Sequence, residues 1–347
     1  MEKYRVTKLF MSVLSVKTET KEALLGLLLI LNCWMRTKLL LMRLRCLLNS
    51  QFNSHPVRAL VKSPSPQPEN NYLGFPLSGE THMVLIYDVN NWIRVKLSTD
   101  GDQLTINNFW SEVLYNSSKG EVQIFVSDGF NSRKKRKEIY PEYKAKRKPA
   151  DASIYDGINF FKNLLRHAPK NVFYVEVPEM EADDIIAHLV RYRNDYYIGK
   201  DIHIISTDKD LTQLLVYPGV TTLATPPVEP RFVRLYKTLV GDNSDNIPGV
   251  PGIGKSSWEN IPEEVKKELN MMLASGGMLT EYLADELEKC FKPKQLENFY
   301  EAYYNGSLHM FFKIVDFIDY PFNPSILKTG DGDLNFVNKQ LNELFIL

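Results

Sequence analysis

The 347-residue chain is poor in cysteine and histidine, carries no net charge and lacks any internal repeat. Its three cysteines, Cys33, Cys46 and Cys290, stand far apart and form no CxxC or zinc-ligand spacing. A disulfide framework and a cysteine metal site are thereby set aside, and a reduced, cytoplasmic protein is expected. Lys plus Arg and Asp plus Glu each total 42. That balance excludes a uniformly basic nucleic-acid coat, yet it allows an acidic pocket beside a separate basic face. No uninterrupted apolar run reaches the ~20 residues needed to span a bilayer.

What the chain does have is 44% hydrophobic residues, enough to build the core of one large domain or two modest ones. Residues 1–82 differ from the rest. A leucine-rich run at residues 23–35 is followed by Arg36, Lys38, Arg43 and Arg45. Glu2, Glu19 and Glu22 precede it and no small-residue cleavage site follows, which makes a poor signal peptide. A basic amphipathic helix touching a membrane surface or a partner is the alternative. Residues 49–82 turn to Ser, Pro, Asn and Gln, a linker composition. Met83 then opens directly into a strand. Residues 1–82 are therefore expected to be an N-terminal extension and linker, an appendage or translated upstream stretch outside the functional protein.

Val84-Leu85-Ile86-Tyr87, Val122-Gln123-Ile124-Phe125-Val126, residues 171–177 and Ile202-His203-Ile204-Ile205 read as buried strands. Helical patterns fall at residues 155–166, 181–192 and 211–216. Apolar strands alternating with helices predict an α/β fold with a central, mostly parallel sheet. Beyond Arg231 the pattern becomes helical, at residues 261–273, 279–290 and 294–304. The aromatic stretch at 311–322 is expected to pack back on the sheet. The expected division is residues 83–240 as a sheet domain and residues 241–347 as a helical region.

Parallel sheets bind ligands beyond the carboxyl ends of their strands. Asp88, Asp128, Asp208 and Asp210 fall there, and Glu181 follows its strand closely. Three motifs carry most of the acids: Glu181-Ala182-Asp183-Asp184, Ser206-Thr207-Asp208-Lys209-Asp210 and Gly241-Asp242-Asn243-Ser244-Asp245. Each has a structural explanation by itself, as a favourable first helical turn, a cap or a turn. Together they crowd like charges that repel by roughly 4 kcal/mol per pair at 4 Å and an effective dielectric near 20. One requirement covers all of them: hard oxygen ligands for Mg2+ or Mn2+. Two ions about 3.5–4 Å apart suit phosphodiester hydrolysis.

Arg133-Lys134-Lys135-Arg136-Lys137, followed by Tyr140, Tyr143, Lys144, Lys146, Arg147 and Lys148, comes directly after the Asp128 strand. A charge run is often just a solvated face, but this one overhangs the acidic pocket. Cations there would neutralise phosphates, and tyrosines offer faces to unstacked bases. Gly249-Val250-Pro251-Gly252-Ile253-Gly254-Lys255-Ser256 fits the GxxxxGK[ST] pattern of a P-loop. It follows a polar turn instead of a buried strand, so a glycine hairpin between helices, cradling a DNA phosphate, is the better reading.

These motifs, in this order and spacing, resemble the flap endonuclease or 5′→3′ exonuclease superfamily over roughly residues 83–320. The form is closest to the phage 5′-nucleases of the ribonuclease H type. The resemblance implies a PIN/5′-nuclease-like fold with a C-terminal helix–hairpin–helix region and a basic arch at about residues 130–150. It implies a first metal site of Asp88, Asp128, Glu181, Asp183 and Asp208. Asp210, Asp242 and Asp245 would serve the second, with Asp184 bridging or in an outer shell. Lys144 and Arg147 would contact the scissile phosphate. Arg133, Lys134, Lys135, Arg136, Tyr143 and Lys146, with Gly249, Gly252, Gly254, Lys255 and Ser256, would contact DNA. Val89 departs from the glycine that many relatives carry after the first aspartate.

The implied activity is metal-dependent hydrolysis near the 5′ ends of DNA or RNA–DNA junctions, removing flaps or RNA primers in replication. The alternatives are a PIN-like ribonuclease and a noncatalytic junction-binding protein. Two Mg2+ ions, replaceable by Mn2+, are the expected cofactors, with K+ at the helix–hairpin–helix. The expected partner is a DNA or RNA–DNA duplex with a 5′ single strand, bound by a monomer without a membrane. Single-stranded-DNA-binding protein or other replication proteins are further candidates, and the apolar Leu344-Phe345-Ile346-Leu347 tail offers them a docking point. If phage-encoded, the chain would act in the host bacterial cytoplasm.

Overall fold

The four apolar runs become parallel strands because their side chains are wanted on both faces. They are β1 Val84–Asp88, β2 Val122–Ser127, β3 Val172–Glu176 and β4 Ile202–Ile205. The computed structural model describes residues 83–100, 102–148, 152–195, 201–320 and 324–344, so the readings for residues 1–82 and for Phe345-Ile346-Leu347 lie outside it. Of the described residues, Met278–Ala284 belong to a separate unit, and the remainder belong to the unit that carries the sheet.

Two further strands, β5 Val220–Thr222 and β6 Lys328–Thr329, complete a sheet of order β5-β4-β1-β2-β3-β6. The first five are parallel and β6 runs antiparallel to β3. Neither added strand was foreseen, since three and two residues are too short to show a period. β1 lies centrally, with Asp88 opposite Val126 and Tyr87 opposite Ile205, so the carboxyl ends of β1, β2 and β4 are level.

Alternate residues divide the strands between two cores. Val84, Ile86, Ile124, Val126 and Val175 meet Ile185, Ile186, Leu189 and Val190 of helix α5, whose range is Ala182–Arg191. Leu85, Tyr87, Phe125 and Tyr174 face the opposite layer. That layer comprises α1 Val89–Asp100, α2 Asp102–Ser118 and α4 Ala152–Leu165, with α3 Lys134–Ile139 preceding α4 in the chain. Tyr87 stacks on Phe125 at 4.4 Å between centroids, and Phe161 meets Phe125 edge-on at 5.5 Å. Each fully buried Phe or Leu here contributes roughly 1.5–3 kcal/mol.

The segment expected to be helical at 211–216 is instead a 3-10 helix, Asp210–Val216. Asp208 Oδ1 accepts the Asp210 N–H at 2.9 Å, which tightens its entry. The C-terminal elements are α6 Val233–Val240, α7 Lys255–Glu259, α8 Glu263–Ser275, α9 Glu281–Cys290, α10 Pro293–Tyr304, α11 Ser307–Val315 and α12 Leu334–Leu344. Phe317 and Leu327 join the first core, and Val337 and Leu341 join the second. The return of the aromatic stretch to the sheet is thus observed, and α12 adds a second return.

Candidate metal centre

The loops at the carboxyl edge are held by short polar contacts from α1. Asp88 Oδ1 accepts the Asn91 N–H and Oδ2 the Ser206 hydroxyl, each at 3.0 Å. Asn90 donates to Asp128 Oδ2 at 3.0 Å and accepts from Ser127 Oγ at 2.8 Å. Asp128 Oδ1 accepts the Ala182 N–H at 2.8 Å, tying the end of β2 to the start of α5. A Cβ on Gly129 would fall 1.7 Å from the Val177 carbonyl oxygen, so only glycine lets this loop press against the end of β3.

Burial, with Asp128 and Asp208 nearby, pushes the Asp88 carboxyl up to about 7. Burial, Asp208 and Asp88 push Asp183 well above the ordinary range, and burial and Glu181 raise Asp128. These five acids therefore share one field. Glu181 behaves differently. Burial alone would raise it, but Lys144 and Arg136 hold it below its usual value. It occupies the N-cap position of α5 without a side-chain cap bond, so helix capping does not explain it.

The second group lies between α6 and the hairpin that follows. Oxygens of Asp210, Asp242 and Asp245 all fall within 4.8 Å of one another. Lys237 of α6, buried, pairs with Asp210 and lies 2.6 Å from Asp242 Oδ2. Asp242 Oδ1 also accepts the Ser244 N–H at 2.8 Å, so the turn-forming role is real alongside any other. Lys237 was not singled out from the sequence. Its signal is a lysine placed among Val233, Leu235, Thr238 and Leu239 on the buried face of the helix, one turn before Gly241-Asp242.

Several expected roles need correction. Asp184, expected to bridge or to stand in an outer shell, has both oxygens engaged away from a bridging place: Arg136 Nη1 and Nη2 donate to Oδ2 at 2.6 Å and Oδ1 at 2.7 Å, and the Ile318 N–H donates to Oδ1 at 2.7 Å. Arg136 does not face DNA. It is 5% exposed and also donates to Glu181 at 2.9 Å and to the carbonyls of Ile314 and Asp316 at 3.1 and 3.0 Å. Tyr143 presents no face to a base, because it is 2% exposed with its hydroxyl donating to Glu181 at 2.9 Å. An arginine in a basic run looks solvated in sequence; here burial opposite two carboxylates outweighs that tendency.

Lys144 and Arg147 separate. Arg147 is exposed, whereas Lys144 is buried with Nζ 2.8 Å from Glu181 Oε1 and 3.7 Å from Asp245 Oδ1. It thus joins the two acid groups. Its φ of 52° is left-handed, a conformation costly for a non-glycine residue, and its N–H donates to the Asp245 carbonyl at 3.1 Å. The Tyr140 hydroxyl on Asn246 O at 2.9 Å and Asn246 Nδ2 on Glu142 O at 2.9 Å stitch the same two segments. Arg133 is half-buried, and Lys134 and Lys146 are exposed. Lys135 sits half-buried over the Tyr320 ring at 4.2 Å.

The Gly249–Ser256 segment follows α6 and an isolated bridge between Asp242 and Ile247, with no strand before it. That removes the P-loop context. Gly249 has φ 69°, and a Cβ there would meet Gly241 N and Val240 C at 2.6 Å, so it is required for the hairpin to close on α6. Gly252, Lys255 and Ser256 are exposed and Gly254 is half-buried. The carbonyls of Pro251 and Gly252 accept from Asn298 at 2.7 Å and Gln295 at 2.6 Å, which fixes the hairpin on α10.

A mostly parallel sheet with acids at its carboxyl edge is a resolvase-like arrangement. Residues 100–237 match the family described as 5′-3′ exonuclease, N-terminal resolvase-like domain. It is 38% identical over 162 residues to DNA polymerase I of Caldicellulosiruptor bescii, covering 40% of this chain and 18% of that one. It is 33% identical over 143 residues to a 5′-3′ exonuclease of Aquifex aeolicus, covering 38% of this chain and 48% of the other. The chain thus spans half or less of the length of these relatives. In fold it is similar to T5 5′-exonuclease, solved with divalent metal ions (zinc) bound, with a TM-score of 0.52 at 19% identity over 76% of this chain and 99% of that one.

Proposed function

We propose that the chain is a divalent-metal-dependent 5′-nuclease that hydrolyses phosphodiester bonds at junctions of duplex and 5′ single strand. The observation that carries this is the convergence of Asp88, Asp128, Glu181, Asp183 and Asp208 beside Asp210, Asp242 and Asp245, with Lys144 between the groups. The donors are hard carboxylate oxygens, which suit Mg2+ or Mn2+. Asp88, Asp128, Asp183 and Asp208, with Glu181, would hold a first ion, and Asp210, Asp242 and Asp245 a second. The chemistry that a metal held by these carboxylates would supply is activation of the attacking water and relief of charge on the leaving oxygen.

The remaining residues act on the substrate. Lys144 and Arg147 place positive charge where the phosphate becomes more negative. Arg133, Lys134, Lys135 and Lys146 would hold phosphates of the 5′ strand. Gly249, Gly252, Gly254, Lys255 and Ser256 would grip duplex backbone, with K+ at the helix–hairpin–helix as part of the same reading. Recognition is then by shape and charge and not by base sequence. Flap and RNA-primer removal by a monomer in the cytoplasm, beside single-stranded-DNA-binding protein or other replication proteins, follows from this reading. The test is cleavage of 5′-labelled flap, nicked and RNA-primed duplexes with Mg2+. Short labelled products from at least one substrate are expected, and folded protein that leaves all three intact with Mg2+ or Mn2+ refutes the proposal.

A further inference from the structure

A cavity of about 520 Å3 opens beside the metal centre, among residues of α1, α3, α4 and the loop after β2. Its size falls in the range that encloses small organic ligands, about 300–1,000 Å3. Five of its lining side chains are cationic (Arg94, Arg133, Lys134, Lys137 and Lys162), and Asp128 is its one carboxylate. Lys134 is paired with Glu179 at 2.5 Å and Lys162 with Glu176 at 2.6 Å. Asp128 is taken up by Asn90 and the Ala182 N–H. Among the described residues, Arg94, Arg133 and Lys137 have no ion pair.

Arg94 Nε is buried and has no hydrogen-bond acceptor. Such a group is costly to leave unsatisfied, and an anion in the cavity would relieve it. Tyr155 lines the same cavity and remains 47% exposed, leaving much of its surface open. Three cations without an ion pair, beside an aromatic ring, match a phosphate joined to a base.

We propose that this cavity binds a 5′-nucleoside monophosphate, with its phosphate held by Arg94, Arg133 and Lys137 and its base laid against Tyr155. The site goes beyond the nuclease reading. It rests on that reading only for the source of the ligand, since stepwise hydrolysis from a 5′ end releases such nucleotides. Bound product would then sit beside the centre that formed it and inhibit the next turnover.

The test uses the full chain in EDTA without DNA, titrated calorimetrically with 5′-dAMP, inorganic phosphate and deoxyadenosine. Saturable 5′-dAMP binding below about 1 mM is expected, with none detected for deoxyadenosine. Stacking of one base is worth about 5- to 150-fold, so inorganic phosphate should bind at least fivefold more weakly. Arg94→Met and Lys137→Met should each weaken 5′-dAMP tenfold or more, and Tyr155→Ala should remove the advantage of nucleotide over phosphate. If Arg94→Met fails to fold, Lys137→Met, at an exposed position, carries the test. No saturable binding overturns the proposal, as does binding indifferent to the charge variants. Phosphate binding as tightly as 5′-dAMP overturns the base site. Since metal and DNA are absent from the titration, its failure leaves flap cleavage untouched, and failure of cleavage leaves the titration valid.

Discussion

Replacing Arg136 by methionine should destabilise the protein by at least about 3–5 kcal/mol, the usual consequence of leaving a buried charge without its partner. Arg136 makes five donor contacts, two to Asp184 and one each to Glu181, Ile314 O and Asp316 O, at 2.6–3.1 Å. Methionine preserves the stem's packing but none of these. Glu181 keeps Lys144 at 2.8 Å and the Tyr143 hydroxyl at 2.9 Å. Asp184, 1% exposed, keeps only the Ile318 N–H among the described residues. The loss should therefore concentrate on Asp184, and a second substitution isolates it. In the wild type, Asp184→Asn breaks a bidentate pair and should cost about 1–3 kcal/mol. In the Arg136→Met background the same change removes an orphaned charge and should raise stability. Urea melts followed by circular dichroism and tryptophan fluorescence, with constant m-values, measure both effects. Equal effects of Asp184→Asn in the two backgrounds, or a loss under about 1 kcal/mol for Arg136→Met, would refute the account.

Asp208→Asn should abolish cleavage while duplex binding stays measurable, and gel-shift and cleavage assays on one preparation separate the two. Lys144→Ala should lower the cleavage rate by tenfold or more, whereas Met35→Ala, far from the site in sequence, should not; equal losses would implicate residues 1–82. Without metal, stability should fall as pH rises from about 4 to 7. The Asp88 carboxyl titrates near 3.8 when unfolded and about 7 when folded, so the folded state holds the extra proton in that window and loses its advantage as the proton leaves. Mg2+ should raise the melting temperature most near pH 7–8, and melting curves indifferent to EDTA there would argue against crowding. Gly249→Ala should lower the melting temperature far more than Gly252→Ala, because the nearest neighbour of a Cβ is at 2.6 Å in the first and 3.4 Å in the second.

The parallel sheet and its acidic edge were legible because both rest on local chemistry. Val84 to Tyr87 and Ile202 to Ile205 are apolar enough to demand burial on two faces, and each run is followed by its aspartate. Asp210, Asp242 and Asp245 were likewise legible as motifs, though not the lysine among them. What could not be read depends on partners far along the chain. Arg136 and Tyr143 look solvent-bound in a run of cations, and only the fold sets Glu181, Asp184 and the 314–316 carbonyls opposite them. The helices α1 and α2 were missed because polar residues break their apolar stripes, although Asn90 and Asn91 of α1 position the aspartates.

The last strand and last helix bear on the order in which the chain is made. β3 gains its outer neighbour only when Lys328 and Thr329 pair with Tyr174 and Phe173, and the second core is completed by Val337 and Leu341. On a ribosome, the carboxylates of the acidic cluster emerge long before those residues do. Until synthesis passes Thr329, β3 presents an open edge able to pair with another nascent chain. Premature termination between Asp245 and Lys328 should therefore yield aggregates and not a slower enzyme, although every acid of the centre would already have been translated.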